Sequence, residues 1–87
     1  MCTMIGTKVG IAGSATSALG WVRVNEAIIG YDHATRTWAE HALRIDLHDT
    51  ATPGADHVAI EVDLASGRAL LQRLQEVITA AEESGLE

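Results

Sequence analysis

Two histidines, His33 and His41, are the residues whose type and spacing best suit chemistry in this chain. If the segments that flank them pair as a hairpin, with His33 opposite Ala39, then His41 lies opposite Tyr31 and diagonal to His33. Diagonal neighbours on one face of a sheet are about 7–8 Å apart at Cα, so the two imidazoles could converge. An imidazole can serve as a general acid or base, and the candidate catalytic residues are therefore His41, His33, Tyr31 and Glu26.

The same histidine pair could instead hold a divalent metal ion such as zinc, with a thiolate or carboxylate completing the ligand set. The candidate ligands are Cys2, His33, His41 and Glu40. Glu40 and His41 are adjacent, however, and adjacent side chains of a regular strand point to opposite faces. The alternative without function is that His41 is a buried histidine bonded to backbone and His33 is a solvated turn residue.

Cys2 is the only cysteine, which excludes a disulfide within the chain and is typical of a reducing compartment. It is either a ligand or nucleophile, or a small apolar residue at the start of a strand. Two tryptophans, Trp21 and Trp38, are candidate walls of a small pocket near the hairpin, with core filling as the alternative.

Periodicity predicts an α+β fold with four strands and one C-terminal helix, in the order ββββα. Alternation of apolar residues predicts strands at about residues 4–12, 21–32, 39–48 and 57–64. The period then becomes helical over about residues 65–84, while residues 86–87 resemble a cloning scar. The apolar parity changes within the second strand, which predicts a bulge at Asn25–Glu26. Small and polar residues predict loops at 13–20 and around Pro53–Gly54.

Short connections favour an antiparallel meander, with the amphipathic helix packed across its apolar face. We expect Asp63 or Ser66 to cap the start of this helix and Gly85 to follow its end. The opposite face of the sheet should meet solvent, as should two histidines beside the Pro-Gly turn. The charged residues expected on that face are Lys8, Arg44, Asp46, Glu61 and Asp63, and the two surface histidines are His48 and His57.

The chain has 87 residues, which predicts a single domain with a small core. A core of this size favours a homodimer, in which an edge strand or the helix flank makes the contact. The net charge of −6 argues against nucleic acid and anionic membranes as partners. No apolar run is long enough to span a membrane and the start does not resemble a signal peptide, so the expected location is the cytoplasm.

Several short motifs resemble those of a family of short actinobacterial proteins of unknown function, some of them encoded near natural-product biosynthesis genes. These motifs are Met1-Cys2-Thr3, Gly20-Trp21, Tyr31-Asp32-His33, Glu40-His41 and Leu43-Arg44-Ile45-Asp46. The resemblance spans nearly the whole chain and implies that Cys2, Trp21, His33 and His41 belong to the family pattern. It also implies a role in secondary metabolism, but it supplies no established activity.

Two hypotheses about function follow. In the first, the protein binds a small molecule or a metal around His33 and His41, and acts as a tailoring enzyme with histidine as general acid or base. This hypothesis predicts a concave pocket at the mouth of the hairpin. In the second, the protein is a non-catalytic dimeric interaction module or accessory subunit. It then exposes an apolar patch of several hundred Å².

Overall fold

A computed structural model describes residues 5–52 and 57–86 and confirms the α+β, ββββα architecture. The four strands form one antiparallel sheet in the order β1-β2-β3-β4, which is the predicted meander. The elements are β1 (Ile5–Ser17), β2 (Gly20–His33), β3 (His41–His48), β4 (Val58–Val62) and α1 (Leu64–Ser84).

The first two strands are longer than the sequence pattern indicates. Residues 13–17, predicted as loop, pair with the start of β2, and a two-residue turn joins the strands. The Ser17 side chain accepts a hydrogen bond from the Leu19 N–H at 3.1 Å, and Gly20 adopts a φ of 109°, which favours glycine. The loop prediction is wrong here because backbone pairing satisfies small polar residues that show no apolar alternation.

The bulge predicted at Asn25–Glu26 lies on the other strand. Gly10 pairs with Glu26 and Gly13 pairs with Val24, so two residues of β1 lie opposite one residue of β2. β2 therefore alternates without interruption, and its two apolar sets lie on opposite faces of the sheet.

The register defines two surfaces of the sheet, which we call the apolar face and the polar face. The apolar face comprises Ile5, Thr7, Val9, Ala27, Ile29, Tyr31, His33, His41, Leu43, Ile45, Leu47, Val58, Ile60 and Val62. The polar face comprises Gly6, Lys8, Glu26, Ile28, Gly30, Asp32, Ala42, Arg44, Asp46, His48, Ala59 and Glu61.

The buried core is very small. Among the described residues, the buried apolar side chains are Ala15, Val24, Ala27 and Ala42. No described side chain larger than valine is fully excluded from solvent, because the large apolar residues of the sheet are at most partly covered and those of the helix stripe are exposed. This core is smaller than the sequence pattern predicts.

The later strands are shorter than predicted, and the helix begins one residue earlier. β3 begins at His41 rather than at residue 39, and β4 covers Val58–Val62 rather than residues 57–64. Leu64 is already helical because the Asp63 carboxylate caps the helix and accepts the Ser66 N–H at 2.8 Å. Of the two caps considered, Asp63 is therefore confirmed.

The end of the helix also follows the prediction. Gly85 adopts the left-handed conformation with a φ of 72°, and its N–H donates to the Glu82 carbonyl at 3.3 Å.

Contact between the helix and the sheet is limited to the first turns of α1. Gly67 is buried against Leu43, so closely that a Cβ at this position would lie 2.6 Å from the Leu43 Cδ2. Every residue from 68 to 86 is exposed. The predicted apolar stripe is Leu70, Leu71, Leu74, Val77, Ile78 and Ala81, and its five larger side chains are 49–66% exposed.

The predicted Pro53–Gly54 turn and the predicted first strand residue, Met4, lie outside the described residues. Within the described ranges, α1 is not apolar enough over its length to count as a candidate membrane-spanning helix.

Candidate functional site

The hairpin between β2 and β3 places the two candidate histidines directly opposite each other. His33 pairs with His41, and Tyr31 pairs with Leu43. The predicted register, His33 with Ala39, is wrong by two residues. A shift of two keeps every side chain on its predicted face, so the expectation that His33, His41 and Tyr31 share one face holds.

The rings form a short stack on the apolar face. The ring centroids of His33 and His41 are 4.6 Å apart at an interplanar angle of 29°, and those of Tyr31 and His41 are 5.7 Å apart at 24°. His41 and Tyr31 are half-buried, whereas His33 is exposed. The stack therefore joins two imidazoles and a phenol, which are three groups that can donate or accept a proton.

The connection of residues 34–40 is held over the end of the sheet by hydrogen bonds. The Ala34 N–H donates to the Glu40 carbonyl at 3.1 Å. The Glu61 carboxylate accepts the N–H groups of Thr35 and Arg36, both at 2.9 Å. A further hydrogen bond at 3.1 Å runs from the Thr37 hydroxyl to the Glu61 carbonyl. The connection is thus fixed to β4.

Glu61 is a residue of the site that the sequence analysis missed. Its backbone hydrogen bonds from Thr35 and then Arg36 lower the pKa of its carboxyl below the ordinary value, because they favour the ionised form. The side chain is only 11% exposed, although its parity predicts a solvated position. The sequence carries no signal for this role, because the donors are backbone groups some 25 residues away along the chain.

The other charged groups of the polar face are paired rather than freely solvated. Arg44 lies 3.4 Å from Asp46 and 3.7 Å from Glu61. His57 Nδ1 is 2.9 Å from the Asp46 carboxylate, and the Asp46 side chain is only 17% exposed. The polar face therefore meets solvent only in part: Lys8 and His57 are exposed, whereas the carboxylates of Asp46 and Glu61 are largely buried beside the single guanidinium of Arg44.

A hollow of about 320 Å³ lies beside this charged network. It has an apolar wall of isoleucine and small residues and a rim of charged and polar side chains. Its lining residues are Ile5, Gly6, Ile28, Ile29, Gly30, Tyr31, Asp32, His33, Thr35, Ala42, Arg44, Asp46 and Glu61. Most of these residues belong to the polar face; of the ring stack, Tyr31 and His33 line the hollow and His41 does not.

Gly30 keeps this part of the sheet open. A Cβ at Gly30 would lie 3.1 Å from the Ile5 carbonyl, which is tighter than ordinary contact with backbone. Gly6 pairs with Gly30, so neither strand projects a side chain into the hollow at this level.

Other candidates are not brought to the histidine stack. Glu26 lies on the polar face and pairs with His48, at 2.9 Å between Oε1 and Nε2, so it is not beside the histidine stack, and His48 is half-buried rather than a fully exposed surface residue. Glu40 is exposed in the connection rather than in β3. Trp21 and Trp38 are 74% and 85% exposed and do not line the hollow, so the prediction that they wall a pocket is not supported.

The metal hypothesis has two of its four candidate ligands in place, since His33 and His41 are adjacent. Cys2 lies outside the described residues. Within residues 5–52 and 57–86, no group of three or more histidine, cysteine, aspartate or glutamate side chains is placed to hold a metal ion. The described residues alone therefore offer a pair of imidazoles and not a complete ligand set.

Comparison with known proteins adds family membership. No curated protein and no solved structure matches the chain significantly. One family model matches residues 1–87, which is the whole chain, and the protein therefore belongs to a family of unknown function, DUF6295.

Proposed function

We propose that the protein binds a small organic molecule at the hairpin end of the sheet and uses the stacked histidines as proton donor and acceptor. The observation that carries the proposal is the direct pairing of His33 with His41, 4.6 Å apart, beside a hollow that His33 also lines. A hollow of about 320 Å³ falls in the range of small-ligand pockets.

The chemistry of the hollow favours a ligand with an apolar body and one polar group. Ile28 and Ile29 supply apolar surface, and Asp32 and Arg44 supply polar contacts at the rim. In this proposal His33, the histidine that lines the hollow, exchanges a proton with the ligand, and His41, half-buried between Tyr31 and His33, receives the proton from His33. Tyr31 orients His41, and Glu26 has no part in the reaction.

A metal site at the same histidines is the second candidate, because two adjacent imidazoles are a common part of zinc sites. It requires at least one ligand beyond the described residues, such as Cys2 or a group from a second copy. Elemental analysis of protein purified without a chelating column tests it directly. Less than about a tenth of an equivalent of transition metal per chain, with no uptake of added Zn²⁺, would exclude this candidate.

We also propose a cytoplasmic location and a role in actinobacterial secondary metabolism, in which the protein acts as a small tailoring enzyme. The single cysteine and the acidic composition support the location. The role in metabolism is supported only by the sequence motifs that include Tyr31-Asp32-His33 and Glu40-His41.

The small-molecule proposal is testable by NMR on protein with ¹³C-labelled histidines. A fragment library of small carboxylates, phenols and amides should contain members that shift the ring signals of His33 and His41. The substitution His33→Phe keeps an aromatic ring in the stack and should abolish these shifts. His48→Gln is the matched control, because it removes a histidine that does not line the hollow yet keeps a hydrogen-bonding partner for Glu26.

Three results would overturn the proposal. The first is that no fragment shifts His33 or His41, and the second is that His33→Phe binds the same fragments equally well. The third is that His48→Gln removes the response as completely as His33→Phe does, because binding would then depend on a different part of the molecule.

A further inference from the structure

We propose that the apolar face of the sheet is covered by helix α1 of a second copy of this chain, in a reciprocal homodimer. This assignment is independent of ligand binding at the histidines. It rests on two uncovered apolar surfaces within one chain and on the amount of surface that a single copy leaves exposed.

The exposed area of one copy exceeds that of a compact monomer. A folded monomer of 9.2 kDa is expected to expose about 4,900 Å². This chain exposes 6792 Å², so the excess is roughly 1,900 Å² per chain. Obligate homodimers bury about 1,000–2,500 Å² per partner, and the excess falls within that range.

The radius of gyration gives the same result. The chain has a Cα radius of gyration of 14.7 Å, whereas a compact domain of this length has about 12 Å. The helix contributes to the extension, because it contacts the sheet only near Gly67 and every later residue is exposed. The β1–β2 hairpin contributes as well, because residues 11–24 extend beyond the part of β2 that pairs with β3.

The two uncovered surfaces are chemically matched. From residue 27 of β2 to the end of β4 the apolar face holds no carboxylate, lysine or arginine, while the charged groups of β3 and β4 are collected on the polar face. Arg23 of β2 lies on the same side but beyond the part of β2 that pairs with β3. On the apolar face Ile5, Val9 and Ile60 are 63%, 50% and 43% exposed. Along α1, Leu71, Leu74 and Val77 are 58%, 60% and 66% exposed.

The helix of the same chain is held in a position that does not cover this face. Only Asp63 separates β4 from α1, and its carboxylate caps the helix at Ser66. Gly67 is already in close contact with Leu43, so the start of the helix is fixed against β3 while its stripe remains exposed. A helix of 21 residues is about 31 Å long, which is enough to cross a four-stranded sheet of a partner.

An unrelated protein would need two apolar surfaces of its own to cover both the apolar face of the sheet and the stripe of α1. A second copy supplies both at once, because each chain offers one helix stripe and one sheet face. The contact is then symmetric and closed, and it leaves no copy of either surface exposed.

The ring stack of Tyr31, His41 and His33 lies on the same apolar face. The helix of the partner would therefore approach these rings and shield the half-buried pair from solvent. The dimer would build one histidine stack on each sheet, with the partner helix as part of its surroundings.

Light scattering after size exclusion tests the proposal on the wild-type chain. The expected mass is twice 9.2 kDa. The substitution Leu74→Glu places a charge in the helix stripe and should weaken association at least a hundredfold, about 2.7 kcal/mol. Gln72→Glu is the matched control, because it adds the same charge on the opposite side of α1 and should leave the dimer intact.

Two outcomes of this experiment overturn the proposal. One is a folded wild-type monomer of 9.2 kDa at roughly 100 μM, far above the dissociation constant of a stable homodimer. The other is a dimer that Leu74→Glu and Gln72→Glu affect equally. Circular dichroism of Leu74→Glu shows whether its chains remain helical, and Val9→Glu on the sheet gives a second, independent variant that should also dissociate.

Isotope-filtered NMR identifies which surfaces meet. In an equal mixture of ¹³C-labelled and unlabelled wild-type chains, we expect intermolecular contacts between leucine methyls of α1 and the methyls of Val9 and Ile60. Contacts only between α1 and α1 would indicate a helix-to-helix dimer and would overturn the assignment of α1 to the apolar face.

Discussion

The hairpin end of the sheet and helix α1 differ in how their polar and apolar groups are satisfied. At the hairpin end, Glu61 accepts two backbone N–H groups and Arg44 lies between two carboxylates, so the chain itself completes this region. Along α1, the caps satisfy the backbone at both ends, yet the apolar stripe from Leu70 to Ala81 has no cover. The helix is locally complete but lacks a tertiary contact over most of its length.

This difference separates two sources of stability. Polar contacts at the hairpin end fix geometry around the histidines and contribute only modestly to unfolding free energy. Burial of apolar side chains contributes most in ordinary domains, and here much of it is available only to a partner. The polar network around Glu61 is therefore complete within one chain, whereas the ring stack and the stripe of α1 both lie on apolar surface that one chain leaves open.

The strongest challenge to this comparison is the dependence of stability on protein concentration. If a second copy covers α1, the apparent unfolding free energy per mole of dimer should rise by about 1.4 kcal/mol for each tenfold increase in concentration. Urea denaturation followed by circular dichroism at roughly 1 and 100 μM should then differ by about 2.7 kcal/mol. Coincident transitions at the two concentrations would show that α1 is uncovered in solution.

Truncation of one side chain in the stripe of α1 measures whether a partner buries that side chain. Leu74→Ala should cost about 2 kcal/mol per chain if a partner buries Leu74, because a large core side chain is replaced by a small one. Gln72→Ala, on the opposite side of the helix, should change stability by less than about 0.5 kcal/mol. Equal small effects of the two substitutions in urea denaturation would contradict a buried stripe.

Lowering the pH should reduce the stability that the Glu61 carboxylate contributes at the hairpin end. The pKa of Glu61 is lowered in the folded state by the N–H groups of Thr35 and Arg36, so its contribution is fully present above the ordinary glutamate pKa. The contribution is lost as the pH falls below that value and through the lowered folded one. Glu61→Gln should therefore be less stable than wild type near neutrality, and the difference should shrink in acid.

Thermal unfolding followed across this pH range measures the Glu61 effect. The Ser66 side chain and N–H also lower the pKa of the Asp63 carboxyl. The stability of the Glu61→Gln variant should therefore still decrease in acid, although less than that of wild type. A difference between wild type and Glu61→Gln that is constant with pH would contradict a role for the charged carboxylate.

The smallest effect is expected for the ion pair on the polar side of α1. Arg73 and Glu76 are 3.0 Å apart, but their side chains are 80% and 58% exposed. Arg73→Ala should cost only about 0.3 kcal/mol and should not change the oligomeric state. A loss above roughly 1 kcal/mol in urea denaturation would place this side of the helix in a contact as well.

The sequence predicted the order and type of every element, because alternation and helical periodicity are local properties. The strand ends and registers were less accurate. The small polar residues 13–17 show no apolar alternation, yet they pair with β2. The bulge opposite Asn25 was assigned to the wrong strand, because a parity change does not say which partner carries the extra residue.

The candidate site was predicted only in part, because parity is a local property of the sequence and contacts between distant residues are not. The approach of His33 to His41 follows from a hairpin with the correct parity, and an error of two residues in register does not alter it. The roles of Glu61 and Arg44 depend on backbone donors in a distant connection and on neighbouring strands. These contacts depend on tertiary geometry, which periodicity does not encode.

The exposed stripe also has no signature of its own in the sequence. An amphipathic helix that packs on its own sheet and one that packs on a partner have the same pattern of apolar residues. The sequence therefore predicted a helix across the apolar face, and the structure shows that a single copy makes this contact only near Gly67.

Gly67 brings the helix backbone against Leu43 without any side chain between them. Alanine at this position would have to displace the end of the Leu43 side chain. A larger, branched residue would be expected to change the angle between α1 and the sheet. The end of the helix lies about 25 Å beyond Gly67, so a tilt of about 5° at this point moves that end by about 2 Å. The absence of a side chain at Gly67 thus sets the direction in which α1 leaves the sheet.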